Sequence, residues 1–95
     1  MDEHTTRLLA MLERQFEQFR NRQVSLEEVQ AASALIAQSF ERGSGADLSA
    51  SMSRLAGALE HIRWMSLPEE QFLEAVKKIQ EFEEMILRVQ DGEEQ

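Results

Sequence analysis

The chain has 95 residues, of which 42% are hydrophobic, and its 18 acidic and 10 basic residues leave a net charge of −8 at pH 7. This length supports one small domain, and the absence of cysteine excludes disulfides, thiol catalysis and cysteine-ligated metal sites. The negative charge disfavours nucleic acid and anionic membranes as direct partners. With no leader behind Met1 and no apolar run near the ~20 residues of a membrane span, we expect a soluble cytoplasmic protein.

Apolar residues recur at intervals of three and four along four separate segments, which is the spacing of helices with one buried face. The sequence does not predict β-strands, because the chain has no alternating run of β-branched residues. One domain is predicted over residues 1–90, with an acidic tail at 91–95 that we expect to fray. Its predicted helices span residues 4–21, 26–42, 47–65 and 67–90. Their apolar stripes are Leu9, Leu12, Phe16 and Phe19; Val29, Ala32 or Ser33, Ile36 and Phe40; Leu48, Met52, Leu55, Leu59 and Ile62; and Phe72, Ala75, Ile79, Phe82, Ile86 and Val89.

The breaks between these segments carry helix-capping signals. Ser25 can accept a hydrogen bond from the amide of Glu28 while the Glu28 side chain reaches back, a capping box that starts the second helix. Ser66 and Glu69 repeat this spacing before the fourth helix, and Gly43 can adopt the left-handed conformation that ends the second. Connections this short place consecutive helices side by side. The sequence therefore predicts an all-α, antiparallel (up-down-up-down) four-helix bundle.

A second arrangement is compatible with the same helices, in which the chain forms two helical hairpins that pair with a second copy. The end of helix four favours self-association, because its apolar residues from Phe82 to Val89 are interrupted only by Glu83, Glu84 and Arg88. A helix that is apolar on nearly all sides needs more than one neighbour. We therefore predict a homo-oligomer, in which the contact residues on this helix are Phe82, Met85 and Leu87.

No enzyme or metal motif emerges from the sequence. The Glu-x-x-His pairs of di-iron bundles and the His-Glu-x-x-His zinc spacing are absent, and Asp47 after Gly43–Gly45 would repel a phosphate. His61 lies next to Glu60, and adjacent helical residues point about 100° apart, so they form no catalytic dyad. We predict no catalytic, metal or cofactor site. Glutamates interleaved with the arginines also disfavour direct nucleic-acid binding.

Trp64 lies two residues beyond Ile62 of the third apolar stripe and therefore points away from the bundle axis. With Arg63, Met65 and Leu67 it groups residue types that are common in binding hot spots. Two interpretations remain open. Either these residues form a contact surface for a partner protein, which we predict, or Trp64 folds over the end of the core as a lid.

Small residues replace large ones along much of helices two and three, which favours close packing of the two helices. A groove for a partner helix is the alternative interpretation. Gly57, in the middle of the third helix, costs about 1 kcal/mol relative to alanine. We therefore expect a neighbouring segment to approach Gly57 closely.

Together these features favour a small, non-catalytic protein–protein interaction module that binds its partner through apolar helix faces. Half of the acidic residues follow Ser66, opposed only by Lys77, Lys78 and Arg88. This raises a second hypothesis, an acidic inhibitory protein such as an antitoxin, immunity protein or nucleic-acid mimic that masks a basic target, although solubility also explains such charge. The candidate acidic surface comprises Glu70, Glu74, Glu81 and Glu84.

Overall fold

The computed structural model describes residues 3–41 and 46–94, and these two ranges form four α-helices. No strand occurs within these two ranges, which confirms the all-α prediction. The helices begin and end within one residue of their predicted bounds, except that the last continues to Glu94 through most of the segment predicted to fray. The predicted helix end at Gly43 lies outside the described residues. The helices are α1 (Glu3–Arg20), α2 (Leu26–Glu41), α3 (Ala46–Met65) and α4 (Pro68–Glu94).

One hydrophobic core collects side chains from every helix, as expected for helices packed into a bundle. Each predicted apolar stripe supplies part of it. Of the two alternatives for the second position of the α2 stripe, Ser33 is buried and Ala32 is half-buried. The side chains of Phe40 and Val89 lie outside the described part of the chain. Among the described residues, the largest fully buried side chains are those of Leu12, Phe16, Val29, Ser33, Met52, Leu59 and Ile79.

Aromatic side chains make the contact between α1 and α4. The ring of Phe16 meets that of Phe82 edge to face, with centroids 6.1 Å apart. Phe19 meets Phe72 at a centroid distance of 5.2 Å. Such pairs contribute about 0.5–1.5 kcal/mol beyond the burial of their area. Large rings therefore fill the space between the first and the last helix.

Small side chains and hydroxyl groups mark the contact between α2 and α3. The buried Ser49 hydroxyl donates to the carbonyl of Ala37 across the two helices, at 3.1 Å. The buried Ser33 hydroxyl donates to the carbonyl of Val29 one turn earlier on its own helix, at 2.9 Å. Within the described residues, every buried side-chain nitrogen and oxygen has a hydrogen-bond partner. Serines therefore fit this contact without an unsatisfied polar group.

The start of α2 confirms the predicted cap. The amide of Glu28 donates to Ser25 Oγ at 3.1 Å, and the Ser25 hydroxyl donates to the Glu28 carboxylate at 3.2 Å. The first helical bond runs from the amide of Val29 to the carbonyl of Ser25. An N-cap of this kind contributes about 1 kcal/mol, so the sequence fixes this helix start locally.

The end of α1 has an unusual residue at its left-handed position. The amides of Gln23 and Arg22 bond back to the carbonyls of Gln18 and Phe19, which is the Schellman pattern. Arg22 has a φ of 60°, in the region that glycine usually occupies at a helix end. Its guanidinium carbon lies 3.9 Å from the centre of the Phe72 ring, so the strained residue stacks on an aromatic side chain.

Gly57 does not have the close neighbour that the sequence predicts. Apart from the adjacent backbone of its own helix, a Cβ atom built at this position meets no atom within 4 Å, and the residue is exposed on α3. The prediction is wrong because Gly57 faces open space beside the contact between α2 and α3, while Ser49 and Ala56 occupy buried positions on the same helix.

We expect Gly57→Ala to raise the free energy of unfolding by roughly 0.5–1 kcal/mol, because alanine is the better helix former and meets no obstacle here. Urea denaturation followed by circular dichroism measures the change. Ala50→Gly, at another exposed position of α3, is the matched control and should lower stability by a similar amount. A loss of stability in Gly57→Ala would show that this position needs its free space.

Candidate protein-interaction surface

Three apolar side chains are exposed where α3 ends and α4 begins. Trp64 is 68% exposed, Met65 72% and Leu67 57%. Trp64 therefore does not cover the core as a lid. We call these residues, together with Arg63, the junction surface.

Arg63 is held in place beside the indole ring of Trp64. Its guanidinium carbon lies 4.9 Å from the centre of that ring, and its Nη1 donates to Gln30 Oε1 on α2 at 2.9 Å. Cation–π stacking of this kind contributes about 0.5–1 kcal/mol at an exposed site. Arg63 thus links α3 to α2 and restricts the orientation of the exposed indole.

The connection behind the junction surface is organised by Gln71 of α4. Its side-chain amide donates to the carbonyl of Arg63 and to the carbonyl of Ser66, both at 3.1 Å. Ser66 is further tied to α3, because its amide donates to the carbonyl of Ile62 at 3.0 Å. One side chain therefore satisfies carbonyl groups at the end of α3 and fixes the direction in which α4 leaves.

The predicted capping box of Ser66 and Glu69 is wrong. The Ser66 hydroxyl donates to the carboxylate of Glu74, and amides in the first turn of α4 donate to the carbonyl of Leu67. The cause is Pro68, which occupies the first helical position and keeps the preceding residue out of the helical conformation. Leu67 is therefore the N-cap residue, and Ser66 lies one position too early to cap the helix.

The second predicted contact face, near the end of α4, is divided by the fold. Phe82 is buried beside Ile86 and packs against α1, so its side chain belongs to the core and is not accessible to a partner. Met85 is half-buried, whereas Leu87 is 60% exposed. Leu87 lies about 30 Å along the helix from Leu67, so it does not extend the junction surface.

The four residues of the predicted acidic surface are exposed on α4, and three of them have polar partners within the chain. Within the described part of the chain, the side chain of Glu70 has no such partner. The partners hold these carboxylates at surface positions where pairs contribute only a few tenths of a kcal/mol. The pairs are Ser66–Glu74, Lys78–Glu81 and Gln80–Glu84.

Two further exposed apolar residues, Met11 and Leu35, line a groove of about 260 Å³ between α1 and α2. The sequence contained a signal for both. Leu35 immediately precedes the buried Ile36, so it points about 100° away from the apolar stripe of α2. Met11 precedes the buried Leu12 in the same way.

A carboxyl pair between α1 and α4 is not predicted by the sequence. Burial, together with a hydrogen bond to Glu83, raises the pKa of Glu13 from its usual 4.5 to about 7. Arg20 acts in the opposite direction, and its Nη1 donates to Glu83 Oε1 at 3.0 Å while its Nη2 lies 3.9 Å from Glu17. We call Glu13, Arg20 and Glu83 the carboxyl cluster. Two acids that hydrogen-bond to one another share a proton, which makes this part of the helix contact sensitive to pH.

Among the described residues, no three histidine, aspartate or glutamate side chains converge as metal ligands. His61 is exposed on α3. Within the same part of the chain, no helix combines the length and the apolar content that crossing a bilayer requires.

No known protein-family model, curated protein or solved structure matches the chain. The inference of function therefore depends on the geometry of its surfaces. Of these, the junction surface joins exposed apolar area to a positioned cation, and it includes four of the seven residues predicted to bind a partner.

We expect Gln71→Met to lower the free energy of unfolding by about 1–2 kcal/mol, because the apolar side chain keeps its length but cannot donate to the two carbonyl groups. Chemical denaturation followed by circular dichroism measures the loss. Gln80→Met is the matched control, since the side-chain bond of Gln80 within the described part of the chain goes to the exposed Glu84 on its own helix. Equal stability of the two variants would mean that Gln71 does not hold the connection.

The raised pKa of Glu13 predicts that stability falls as pH rises from about 4.5 to about 7. In this window the folded chain retains a proton that the unfolded chain releases, and above it the folded state carries the full cost of the ionised pair. Glu13→Gln should therefore increase the melting temperature at pH 8 and leave it nearly unchanged at pH 4. Glu60→Gln, at an exposed position of α3, is the control and should not flatten the pH profile. A flat wild-type profile would contradict the prediction.

Proposed function

We propose that this chain is a soluble, cytoplasmic, non-catalytic protein–protein interaction module that works without a cofactor. Its helices run up-down-up-down as an antiparallel bundle, and the protein associates with a second copy of itself through the junction surface. The proposal leaves Phe82 out of the contact, because that side chain is buried.

Contacts along α2 and α3 support the antiparallel arrangement. Ser49, near the start of α3, bonds to Ala37, near the end of α2. Arg63, near the end of α3, bonds to Gln30, near the start of α2. The pairing of early with late residues on two consecutive helices is what an antiparallel pair requires.

The single observation that carries the proposal is the joint exposure of Trp64, Met65 and Leu67 beside the stacked guanidinium of Arg63. Tryptophan and arginine are the residue types most enriched in binding hot spots. A side chain whose orientation is already restricted loses less conformational entropy when a partner binds. The junction surface therefore has both the composition and the preorganisation of a contact site.

The alternative, an acidic inhibitor that masks a basic target, is less well supported. A clamp of carboxylates needs acidic groups that are free to meet the partner's cations. Three of the four candidate glutamates instead accept hydrogen bonds from neighbours on α4 or on the connection before it. No feature of the described surface favours this second function over the first.

We expect the wild-type protein to show a concentration-dependent dimer in sedimentation equilibrium, and Trp64→Ala to raise the dissociation constant by tenfold or more. The dimer should persist at high salt, because an apolar contact is only weakly screened. Met11→Ala, another exposed apolar residue, is the matched control and should leave the constant unchanged. A chain that stays monomeric at its highest attainable concentration, or a dimer indifferent to Trp64→Ala, would contradict the proposal.

A further inference from the structure

Two guanidinium groups stack on aromatic rings without an acidic partner. Arg22 lies over Phe72 and Arg63 lies against Trp64. Among the described residues, neither arginine forms an ion pair, although the chain contains 18 acidic residues. Arg63 instead donates a side-chain hydrogen bond to the neutral amide of Gln30. Both cations therefore keep their charge available to a ligand.

Both stacks lie at the same end of the helices. Arg22 belongs to the connection between α1 and α2, and Arg63 borders the connection between α3 and α4. Gln71 links the two places, because its amide bonds to the carbonyl of Arg63 while its side chain lines a groove that Arg22 also lines. The groove has a volume of about 220 Å³. Five apolar residues share its lining with Arg22, Ser25 and Gln71, namely Phe19, Val24, Leu26, Pro68 and Phe72.

The backbone of Arg22 holds its side chain at the edge of this groove. A non-glycine residue in the left-handed conformation costs roughly 1–2 kcal/mol, a cost that glycine would avoid. The guanidinium is instead positioned over Phe72, and its planar donors form no hydrogen bond with any residue that the structure describes. Arginine in this setting suits the two oxygen atoms of a carboxylate, which accept two parallel hydrogen bonds.

We propose that this end of the molecule, where Arg22 lines the groove and Arg63 borders the connection before α4, binds an acidic peptide segment of a partner protein. The segment places one apolar side chain in the groove and offers carboxylates to the two guanidinium groups. The inference rests on the proposed interaction function and adds a second partner, which shares Arg63 with the contact between two copies of the chain.

A nucleic acid fits this end less well, although phosphates also pair with arginine. Glu27, Glu28, Glu69 and Glu70 are exposed in the first turns of α2 and α4, at the same end. A continuous phosphate backbone would extend past the two arginines and meet these charges. A short segment with a few carboxylates can contact the two arginines alone.

A library of random linear peptides displayed on phage, selected on the intact immobilised protein, tests the proposal. We expect the recovered peptides to combine one large apolar residue with two or more acidic residues. In calorimetry, Arg22→Gln and Arg63→Gln should each raise the dissociation constant of a representative peptide about tenfold. Added salt should weaken the binding of this peptide to the wild-type protein. Arg14→Gln, an exposed arginine on α1 that forms no ion pair among the described residues, is the matched control.

Recovery of neutral or basic peptides, of no peptides, or of peptides that bind both variants normally would overturn the proposal. So would tighter binding of a single-stranded oligonucleotide at the same two arginines. Circular dichroism of each variant separates a lost contact from a lost fold. Sedimentation of the same samples separates the two proposals, because a chain that self-associates through Trp64 but selects no acidic peptide refutes only this inference.

Discussion

The contact between α1 and α4 through phenylalanine side chains is the constraint on which the arrangement of the four helices depends. The edge-to-face pair of Phe16 and Phe82 and the pair of Phe19 and Phe72 join the first helix of the chain to the last. Phe72 also carries the guanidinium of Arg22 on its ring. The same aromatic contact therefore closes the core and fixes the connection that leads into α2.

The opposite contact, between α2 and α3, uses small side chains and a serine hydrogen bond. This contrast explains where polar groups enter the structure. The phenylalanine rings leave enough space between α1 and α4 for the side chains of Glu13, Arg20 and Glu83 to meet there. The serines of α2 and α3 are shorter and bond directly to backbone carbonyl groups. Among the described residues, the ion pair between two helices, Arg20–Glu83, thus lies at the boundary that the rings maintain.

Much of the fold follows from local signals. Periodicity places the four helices, and the cap at Ser25 depends on residues three apart, so both were predictable from the sequence. The exposure of Trp64 followed from its offset against Ile62, but the hydrogen bond from Arg63 to Gln30 joins residues 33 positions apart, and no local pattern reveals it. The failed cap at Ser66 shows two local rules in conflict, and the conformational restriction before Pro68 outweighed the serine signal.

The open side of Gly57 and the pairing of Glu13 with Glu83 were not predictable for a related reason. Both depend on how far one helix lies from the next, which hydrophobic spacing does not specify. Sequence reasoning places a residue on a helix face, whereas the empty volume beside it is set by packing.

Trp64 is the only tryptophan, and the chain has no tyrosine. The intrinsic fluorescence of the protein therefore originates almost entirely from one indole on its outside. Because that indole is already largely hydrated in the folded chain, melting of the core should change its emission little. Anything that covers the end of α3 should change it strongly, so this protein carries a natural optical probe of contact rather than of folding.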